Sequence, residues 1–464
     1  MGKRLWPVLL IALIGCAPMH PEYVRPEPEV PESWPATAVA ETAGQTVDQL
    51  PWRQFFDEPR LAGLIDLALE HNRDLRIAAL NIERARARYG LRRAELWPQV
   101  DAGAAGSGQR VPADLSGSGS AATLHRYNVD LGLSAYELDL FGRIRSLQEQ
   151  ALADYLATEQ ARRGIRIGLV AEVAIQYLTL AADRELLAIA RQTLESQQAS
   201  YDLVRRRFEA GTAAALDLHQ ARTRVEAARV DVARFQTLQA QDENGLAELI
   251  GTAVPAEFLA SDWSALRESL QVPAAGLSSA LLLARPDILQ AEQLLVAANA
   301  NIGAARAAFF PRVILAGALG TASAELSGLF ADGSAVWNFA PRVTVPIFDA
   351  GRNRANLAVA QADREIALQR YQQAIQTAFR EVADALARRA TIAGQLAAQQ
   401  ALVEASGASY GLATMRYEKG VDSYLTVLDS QRVLYTARQE LIATDLTRLG
   451  NLTTLYRVLG GGAD

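Results

Sequence analysis

The stretch that decides the fold is RDLRIAALNIERARARYGLRRAELWPQV at 73–100, because PDILQAEQLLVAANANIGAARAAFFPRV at 286–313 repeats its plan. The matching residues lie 213 positions apart in each case: Asp74 and Asp287, Gly90 and Gly303, Pro98 and Pro311. A constant spacing between like residues indicates an internal duplication of the chain.

The two halves stay in register well beyond this stretch. RFEAG at 207–211 and RYEKG at 416–420 lie 209 positions apart, and the Gly142-Arg143 and Gly351-Arg352 pairs keep the same spacing. The spacing therefore changes by four residues between Pro98 and Gly142, and such a change is best tolerated in a loop.

Each half shows the same order of patterns, which predicts a mainly α-helical mixed fold built from two repeats. The expected segments of the first repeat are a helix at 61–98, a β-hairpin at 99–137 and a long helix–turn–helix at 138–250. Those of the second are a helix at 284–311, a β-hairpin at 312–347 and a long helix–turn–helix at 348–459. An equatorial linker at 251–283 joins the repeats, and 460–464 form a C-terminal tail.

The long helices follow from two observations. No proline occurs in 113–254 or from 347 onwards, so no proline breaks or kinks a helix in these ranges. Apolar residues also recur every seven positions, in the column Val173, Leu180, Leu187, Leu194, Tyr201, Phe208 and its copy Val382, Arg389, Leu396, Val403, Tyr410, Tyr417, where only Arg389 breaks the pattern. This spacing indicates coiled-coil packing. Helices of this length reach roughly 100 Å, which an ordinary helical bundle does not need.

The hairpin segments alternate in polarity. Within 128–136 the odd positions are mostly apolar and the even ones polar or small, and 338–347 alternates in the same way. Strands of about 9–11 residues with one apolar and one polar face suit a transmembrane barrel. A soluble, half-buried hairpin is the alternative. Two hairpins supply only four strands, whereas the smallest single-chain membrane barrels need about eight, so we expect an oligomer. A dimer and a trimer both satisfy this requirement.

The N-terminus is typical of a targeting signal. Lys3 and Arg4 precede an apolar run at 5–14 that is too short to span a membrane. The run ends in Leu-Ile-Gly-Cys at 13–16, which resembles the lipobox of bacterial lipoproteins, and Cys16 is the sole cysteine. We therefore expect a signal peptide at 1–15 and a covalent lipid on Cys16, with an ordinary secretory signal as the alternative. Ala17 favours the outer membrane by the same resemblance. The proline-rich residues that follow predict an extended strap within 16–60.

Composition excludes several classes of function. The net charge is −6, so we expect no nucleic-acid partner. The four histidines lie far apart and show no metal-binding spacing, and neither a nucleophile–base constellation nor a glycine-rich phosphate loop is visible. We therefore predict no catalytic residue, no metal and no cofactor apart from the lipid, and hence no enzyme.

Several spaced motifs occur together in one order. They are YVRP at 23–26, WRQFFDEP at 52–59, ELDLFG at 137–142 and RYEKGVDSYL at 416–425. With the lipobox, they resemble TolC-like outer-membrane efflux factors of the acylated, NodT-type branch, over essentially the whole mature chain.

The resemblance implies a homotrimer whose strands form a 12-stranded transmembrane β-barrel, continuous with a long periplasmic α-helical barrel. It implies a passive conduit of a tripartite efflux system. The conduit would dock on a periplasmic adaptor and an inner-membrane pump of the resistance-nodulation-division type, and would export drugs or other toxic small molecules. The exported compound is not indicated.

The resemblance also implies a periplasmic gate. Leu425 and Asp429 match the family's constricting rings, and their spacing of four places them on one helix face. Arg416 and Tyr417 match residues that link the inner helices to the outer ones, and Asp217 occupies the matching acidic position of the first repeat. Thr426 stands where some members carry a second aspartate, which puts a second acidic ring in doubt. Solvated helix-end residues are the alternative for all of these, and Asp422 could equally be a helix N-cap.

The main rival hypothesis is a lipid-anchored periplasmic coiled-coil adaptor of an export system. Such a protein should carry one helical hairpin flanked by soluble β-domains. The two helix–hairpin–helix repeats of this chain argue against it, and the long heptad columns argue against a passive porin.

Overall fold

The computed structural model describes residues 18–31, 34, 51–117, 119–259, 262–267 and 279–461. The predicted signal peptide and Cys16 lie outside the described residues. The chain forms two compact units, of which the first contains 1–27, 81–159 and 290–371, and the second contains 28–80, 160–289 and 372–464.

The helices and strands repeat along the chain as the sequence predicts. In the first repeat they are α1 Trp52–Phe55, α2 Pro59–His71, α3 Arg73–Ala94, β1 Val100–Val111, β2 Ala122–Leu138, α4 Arg143–Glu209 and α5 Ala215–Ile250. In the linker and the second repeat they are α6 Trp263–Leu266, α7 Pro286–Ala307, β3 Arg312–Ser323, β4 Ala335–Phe339, β5 Arg342–Thr344, α8 Arg352–Glu418 and α9 Tyr424–Val458. Short 3₁₀ turns occur at Ala256–Phe258, Ser279–Ala284 and Leu326–Gly328. Both α3 and α7 have 22 residues, and both α4 and α8 have 67.

The single helix predicted at 61–98 is wrong, because the chain forms two helices that meet at Asn72. The Asn72 side chain accepts a hydrogen bond from the Leu75 backbone N–H (2.9 Å) and donates one to the Leu249 carbonyl (2.8 Å). An asparagine that bonds to the nearby backbone in this way starts a new helix in preference to continuing the old one. The second repeat has no such break, since α7 starts only at Pro286.

In the first unit, the strands form one antiparallel sheet in the order β1-β2-β3-β4, with β5 also paired to β3. The β2–β3 pairing joins the hairpins of the two repeats, for example at Leu131 opposite Leu319. The outer edges of β1 and β4 have no strand partner within the described residues.

The strand register gives the sheet one apolar face and one polar face. Leu131, Leu319 and Trp337 lie side by side across β2, β3 and β4, and they are 58%, 64% and 74% exposed. The opposite face carries Asp130 and Asn128, whose side chains are hydrogen-bonded to each other. Both faces of β1 are open to solvent in the single chain.

Two details of the strand prediction need correction. The alternation within 128–136 predicts Ala135 in the apolar row, but this residue lies at a bulge between Leu133 and Tyr136 and has a φ of +60°. We also predicted one strand over 338–347, whereas the structure has β4 and β5 separated by Ala340-Pro341. Proline lacks the N–H that a ladder bond requires, so the strand is interrupted there.

Both strand-to-helix corners in this unit are built alike. The Asp139 carboxylate accepts hydrogen bonds from the backbone N–H groups of Ile144 (3.1 Å) and Arg145 (3.0 Å), at the start of α4. Asp349 caps the start of α8 in the same way. This arrangement explains ELDLFG, in which the aspartate caps the helix and Gly142 supplies the left-handed turn (φ +72°).

Residues 18–31, part of the predicted strap, form no helix or strand, and residues 19–25 lie along α7. Glu292, Asn299 and Arg306 follow one another at seven-residue intervals on α7, so they share one helix face. Asn299 donates to the Pro21 carbonyl (2.7 Å) and Arg306 to the Met19 carbonyl (3.0 Å). Glu292, only 8% exposed, accepts from Arg25 and from the Tyr23 hydroxyl. Thus YVRP supplies the side chains that close the strap onto the helix.

In the second unit, the heptad columns form the helical core. Val173, Leu180 and Val382 are fully buried, whereas Phe208 near the carboxyl end of α4 is 40% exposed. One window of α4 is apolar and long enough to cross a bilayer, but 56% of that window is buried inside the fold. Burial of this kind is typical of the core helix of a soluble domain.

Candidate functional site

The predicted gate residues lie in or near two helical hairpin turns of the second unit. Gly211 and Gly420 adopt left-handed φ values of +74° and +73°. In each turn the glycine N–H donates to the carbonyl three residues back (2.9 Å), and the next N–H donates to the carbonyl five residues back (2.8 Å at Thr212, 2.9 Å at Val421). The glycines are needed because L-residues with side chains rarely adopt this conformation.

A shared apolar cluster holds the four helices together behind these turns. It contains one or more buried residues from each of α4, α5, α8 and α9: Val204, Ala221, Ala413, Tyr424, Val427, Leu428. Tyr201, Leu218, Tyr410 and Tyr417 pack against it. The turns are therefore fixed to one another by packing as well as by polar contacts.

Leu425 and Asp429 lie on one exposed face of α9, as their spacing predicts. Leu425 is 58% exposed. The Asp429 carboxylate is paired with the guanidinium of Arg432 at 2.6 Å, one turn further along. Arg432 is not among the predicted gate residues, although its spacing of three residues from Asp429 is a common one for helical ion pairs.

The same face borders an open groove between α8 and α9. Its lining comes from small residues of α8 and from the gate face of α9: Ala405, Ser406, Ser409, Leu425, Thr426, Asp429, Ser430, Val433. Small side chains on α8 leave Asp429 accessible from the groove. Thr426 also lines it and provides a hydroxyl but no charge, so within one chain this part of the groove has a single carboxylate.

Within the single chain, Arg416 pairs with a residue of its own turn. Its guanidinium binds Asp422 through two hydrogen bonds (2.6 and 3.0 Å) within the same turn. This contact lowers the pKa of the Asp422 carboxyl and raises that of Arg416. Asp422 is therefore not a helix N-cap. That position belongs to Ser423, whose side chain makes no cap hydrogen bond.

The link between the two repeats runs instead from Arg207 of α4 to Tyr417 of α8. The Arg207 guanidinium donates to the Tyr417 hydroxyl (2.9 Å), and its carbon lies 5.1 Å from the centre of the Tyr417 ring. Within the single chain, Tyr417 therefore joins the two repeats, whereas Arg416 pairs within its own turn. The structure brings neither of them into an ion pair or hydrogen bond with Asp217, which lies in the first turn of α5. A negative charge in the first turn stabilises a helix, because the N-terminal end of the helix dipole is positive.

Comparison with known proteins decides the family. One family model, described as outer membrane efflux protein, matches 64–252 and 277–461, which correspond to the two repeats.

The chain belongs to the outer membrane efflux protein family.

Among relatives of this efflux protein, the toluene efflux pump outer membrane protein of Pseudomonas putida is 47% identical over all of this chain and 96% of its own length. A crystal structure of a membrane protein from Pseudomonas aeruginosa is 44% identical, with a TM-score of 0.90 over 96% of this chain and 98% of that one. The open state of the MtrE outer membrane channel of Neisseria gonorrhoeae is 39% identical, with a TM-score of 0.85 over 96% and 98% of the two chains.

These matches confirm the predicted fold and the main function. The protein is an outer-membrane channel component of an efflux system, with a large helical extension on the periplasmic side. The rival hypothesis of a periplasmic adaptor is therefore wrong.

Proposed function

We propose that three copies of this chain form a passive, gated conduit. It would receive small molecules from an inner-membrane pump of the resistance-nodulation-division type through a periplasmic adaptor, and release them outside the cell. The observation that carries the oligomer is the sheet, which has two edges without a strand partner among the described residues and an exposed apolar face in the single chain.

Open edges and exposed apolar rows are unfavourable unless something covers them. In a bilayer each unpaired backbone group costs several kcal/mol, so a membrane sheet must close on itself. Pairing β1 of one copy with β4 of the next removes both edges. It turns the row of Leu131, Leu319 and Trp337 towards lipid and places Asp130 and Asn128 in the lumen.

We further propose that a lipid on Cys16 fixes the conduit to the inner leaflet of the outer membrane. Met19 is docked at Arg306, six residues before β3 begins at Arg312. Cys16 precedes Met19 by three residues in the sequence. A lipid in addition to the barrel would strengthen anchoring without spanning the bilayer.

The gate is proposed at the tip, where the helices of the second repeat converge around the threefold axis. There Leu425 would form an apolar ring, Asp429 a ring of carboxylates and Arg432 a ring of counter-charges. These residues lie at intervals of four and three on one helix face. Rings of acidic side chains attract cations to a pore, and adjacent basic groups moderate that attraction.

The cargo is proposed to be apolar or amphipathic toxic compounds, including aromatic solvents. The support is that a relative 47% identical to this chain is named for toluene efflux. A strain that lacks this gene should become more susceptible to aromatic solvents and antibiotics, measured as growth across a panel with dyes, detergents and metals. Complementation with the intact gene is the control. Unchanged susceptibility across the panel would contradict efflux of this class.

The gate assignment is tested by Asp429→Asn in planar bilayers. We expect an altered single-channel conductance and roughly tenfold weaker block by divalent cations, equivalent to about 1.4 kcal/mol, because the carboxylates that attract these cations are lost. Glu404→Gln is the matched control, because Glu404 is an exposed acid on α8 that does not line the groove. Conductance and block equal to those of the unmodified channel would remove Asp429 from the gate.

A further inference from the structure

An open cavity lies where α3 and α4 meet the base of the sheet, entirely within the first unit. Its volume of about 1360 Å³ is enough for a drug-sized molecule, since ligand pockets usually measure roughly 300–1,000 Å³. Five arginines of α3, α4 and β3 line it: Arg84, Arg88, Arg92, Arg143, Arg312. The acids that line it number three: Glu95, Glu137, Asp154. This basic cavity therefore carries two more arginines than acids.

Two of the acids are already bound to three of the arginines. Glu95 is paired with Arg92 at 2.7 Å. Glu137 accepts hydrogen bonds from Arg143 (2.8 Å) and from Arg312 (2.5 Å). A single carboxylate shared by two arginines leaves a net positive charge at this wall of the cavity.

Arg84 and Arg88 are the remaining arginines of the cavity, and both are exposed. Neither makes a hydrogen bond or an ion pair within the part of the chain that the structure describes. Burial raises the pKa of the third acid, Asp154, and the charge of Arg88 acts in the opposite direction. A carboxyl group that resists ionisation is a poor partner for an arginine, so the donors of Arg84 and Arg88 stay available.

Apolar and aromatic side chains lie beside these donors. Leu91 and Trp97 line the cavity and are 69% and 73% exposed, and Leu147 of α4 lines it as well. A guanidinium group binds a carboxylate or a sulfonate through two parallel hydrogen bonds. An aromatic ring stacks on an indole with a further gain in free energy. The cavity therefore suits a molecule that has both an anionic group and an apolar body.

The basic cavity opens on the polar face of the sheet. In β3, Arg312 lies eight residues before Gly320, and an even separation places both residues on one face of the strand. Gly320 is the register partner of Asp130, which belongs to the polar face. In the proposed barrel this face lines the lumen, so the cavity opens towards the conduit.

Two other arginines lie on the opposite side of α3. Arg86 and Arg93 are the counterparts, 213 positions earlier, of Asn299 and Arg306, which hold the strap against α7. Neither of the two lines the cavity. Arg86 follows Arg84 by two residues, which is roughly 200° around a helix. The helix therefore separates one pair of arginines that faces the cavity from another pair that faces away from it.

The second repeat lacks the arginines of the cavity. The counterparts of Arg84, Arg88 and Arg92 at the same spacing are the uncharged residues Ala297, Asn301, Ala305. Ala297 is only 3% exposed, so this face of α7 is packed. The corresponding face of α3 is open and basic, which a packing role alone does not require.

We propose that the basic cavity is a binding site for amphipathic organic anions in the wall of the conduit. Arg84 and Arg88 bind the carboxylate, sulfate or sulfonate group, and Leu91 and Trp97 hold the apolar body. Each chain supplies one such site. The inference rests on the proposed conduit and names one class of its cargo.

Block of the single-channel current by naphthalenesulfonate in planar bilayers tests the site. This probe joins a permanent anion to an aromatic body, and naphthalenemethanol has the same body without the charge. Naphthalenesulfonate should block the unmodified channel at concentrations roughly tenfold lower than naphthalenemethanol does. The double variant Arg84→Gln with Arg88→Gln should remove this difference, because the charge-assisted hydrogen bonds to the sulfonate are lost.

The matched control is the double variant Arg86→Gln with Arg93→Gln, which removes the same charge from the opposite side of the same helix. Its block constant for naphthalenesulfonate should stay within about twofold of the unmodified value, because solvent and salt screen these charges from the cavity. Leu91→Ser tests the apolar wall. It should weaken block by naphthalenesulfonate and leave the effect of inorganic sulfate unchanged, because sulfate has no apolar body.

The outcomes separate the site from the conduit. Unchanged block in the Arg84 and Arg88 double variant overturns the site. Equal weakening in both double variants also overturns it, because the total charge of the wall then decides. Loss of the oligomer on native gels in the Arg84 and Arg88 variant overturns it too, since this face would then contact a neighbouring copy. These three results leave the conduit in place. If the unmodified protein forms no channels, the conduit and the site fail together.

Discussion

Asp183 of α4 and Asp242 of α5 are half-buried carboxyl groups that act on each other's ionisation. Gln176 Nε2 donates to Asp242 Oδ1 (3.2 Å). Burial, followed by the charge of Asp183, raises the pKa of Asp242 to about 6, and burial also raises the pKa of Asp183. Arg234 acts on Asp183 in the opposite direction, and Glu243 adds to the effect on Asp242. The pair therefore holds a proton up to a higher pH than an isolated aspartate does.

This pair predicts that the fold loses stability as the pH rises through about 6. A carboxyl whose folded pKa is raised binds its proton more tightly in the folded state. Its contribution is therefore complete below the unfolded value of about 4 and disappears above the folded one. Melting temperatures measured between pH 4 and 7 should fall across this window, and Asp242→Asn should flatten the fall.

Glu243→Gln is the control for that experiment. Hydrogen bonds from Gln239 and Arg184 lower the pKa of Glu243, so its own contribution changes in the opposite sense. The Gln variant should keep the decline near pH 6. A decline that survives Asp242→Asn would show that another group causes it.

Contacts between side chains on different helices could not be predicted from the sequence. The spacing of Leu425 and Asp429 already placed them on one helix face. The Arg207–Tyr417 link and the aspartate pair join residues on different helices, and which side chains meet depends on how those helices pack. Heptad spacing predicts that they pack but does not give their relative height to within one side chain.

At the scale of the elements, Arg389 interrupts the heptad column of α8. Its counterpart 209 positions earlier is Leu180, which is fully buried. Burial lowers the pKa of the Arg389 guanidinium, so the charged group is held where it is poorly solvated. A heptad position between helices normally holds an apolar residue.

Arg389→Leu should therefore stabilise the helical core. Restoring an apolar side chain in place of a half-buried cation should raise the free energy of unfolding by about 1 kcal/mol. The measurement is thermal or denaturant unfolding in detergent. Arg388→Leu, at the exposed neighbouring position, should leave stability within about 0.5 kcal/mol of the original. Destabilisation by Arg389→Leu would show that this arginine has a partner in the assembled channel.

The elements themselves were largely predictable, and the exceptions have local causes. Absence of proline and repetition of heptads predicted two long helix–turn–helix segments whose outer bounds agree with α4–α5 and α8–α9 to within a few residues. Asn72 divides the predicted helix, because its side chain caps the start of a new one. Pro341 divides the predicted strand, because proline lacks the N–H that a ladder bond requires. Both interruptions could have been predicted from these residue types. An asparagine inside a helical pattern can act as a cap, and a proline removes a ladder bond.

At the scale of the whole molecule, a single chain buries the core between its long helices. Its sheet, however, has two edges that lack a strand partner among the described residues. The apolar face and the open edges of β1 and β4 require further copies, and the four strand paths of one chain do not state how many. The number is set by strand tilt and by the fit between neighbouring helices, which depend on subunit contacts that the sequence pattern does not encode.

Cysteine crosslinking across the open edges decides the number of copies. With Cys16 as the only native cysteine, Ala105→Cys in β1 can be combined with Val336→Cys or Asn338→Cys in β4 of the same chain. Oxidation of the membrane-embedded protein should join neighbouring copies and give covalent dimers and trimers on denaturing gels, with no larger species.

A pair within one chain, Ala104→Cys with Val129→Cys, is the control, because these residues are register partners and should give only internal crosslinks. A ladder that stops at the dimer would mean an eight-stranded barrel, and a ladder that continues past the trimer would exclude a closed ring of three. Because a closed ring consumes both edges of every copy, the largest covalent species directly counts the chains that complete the barrel.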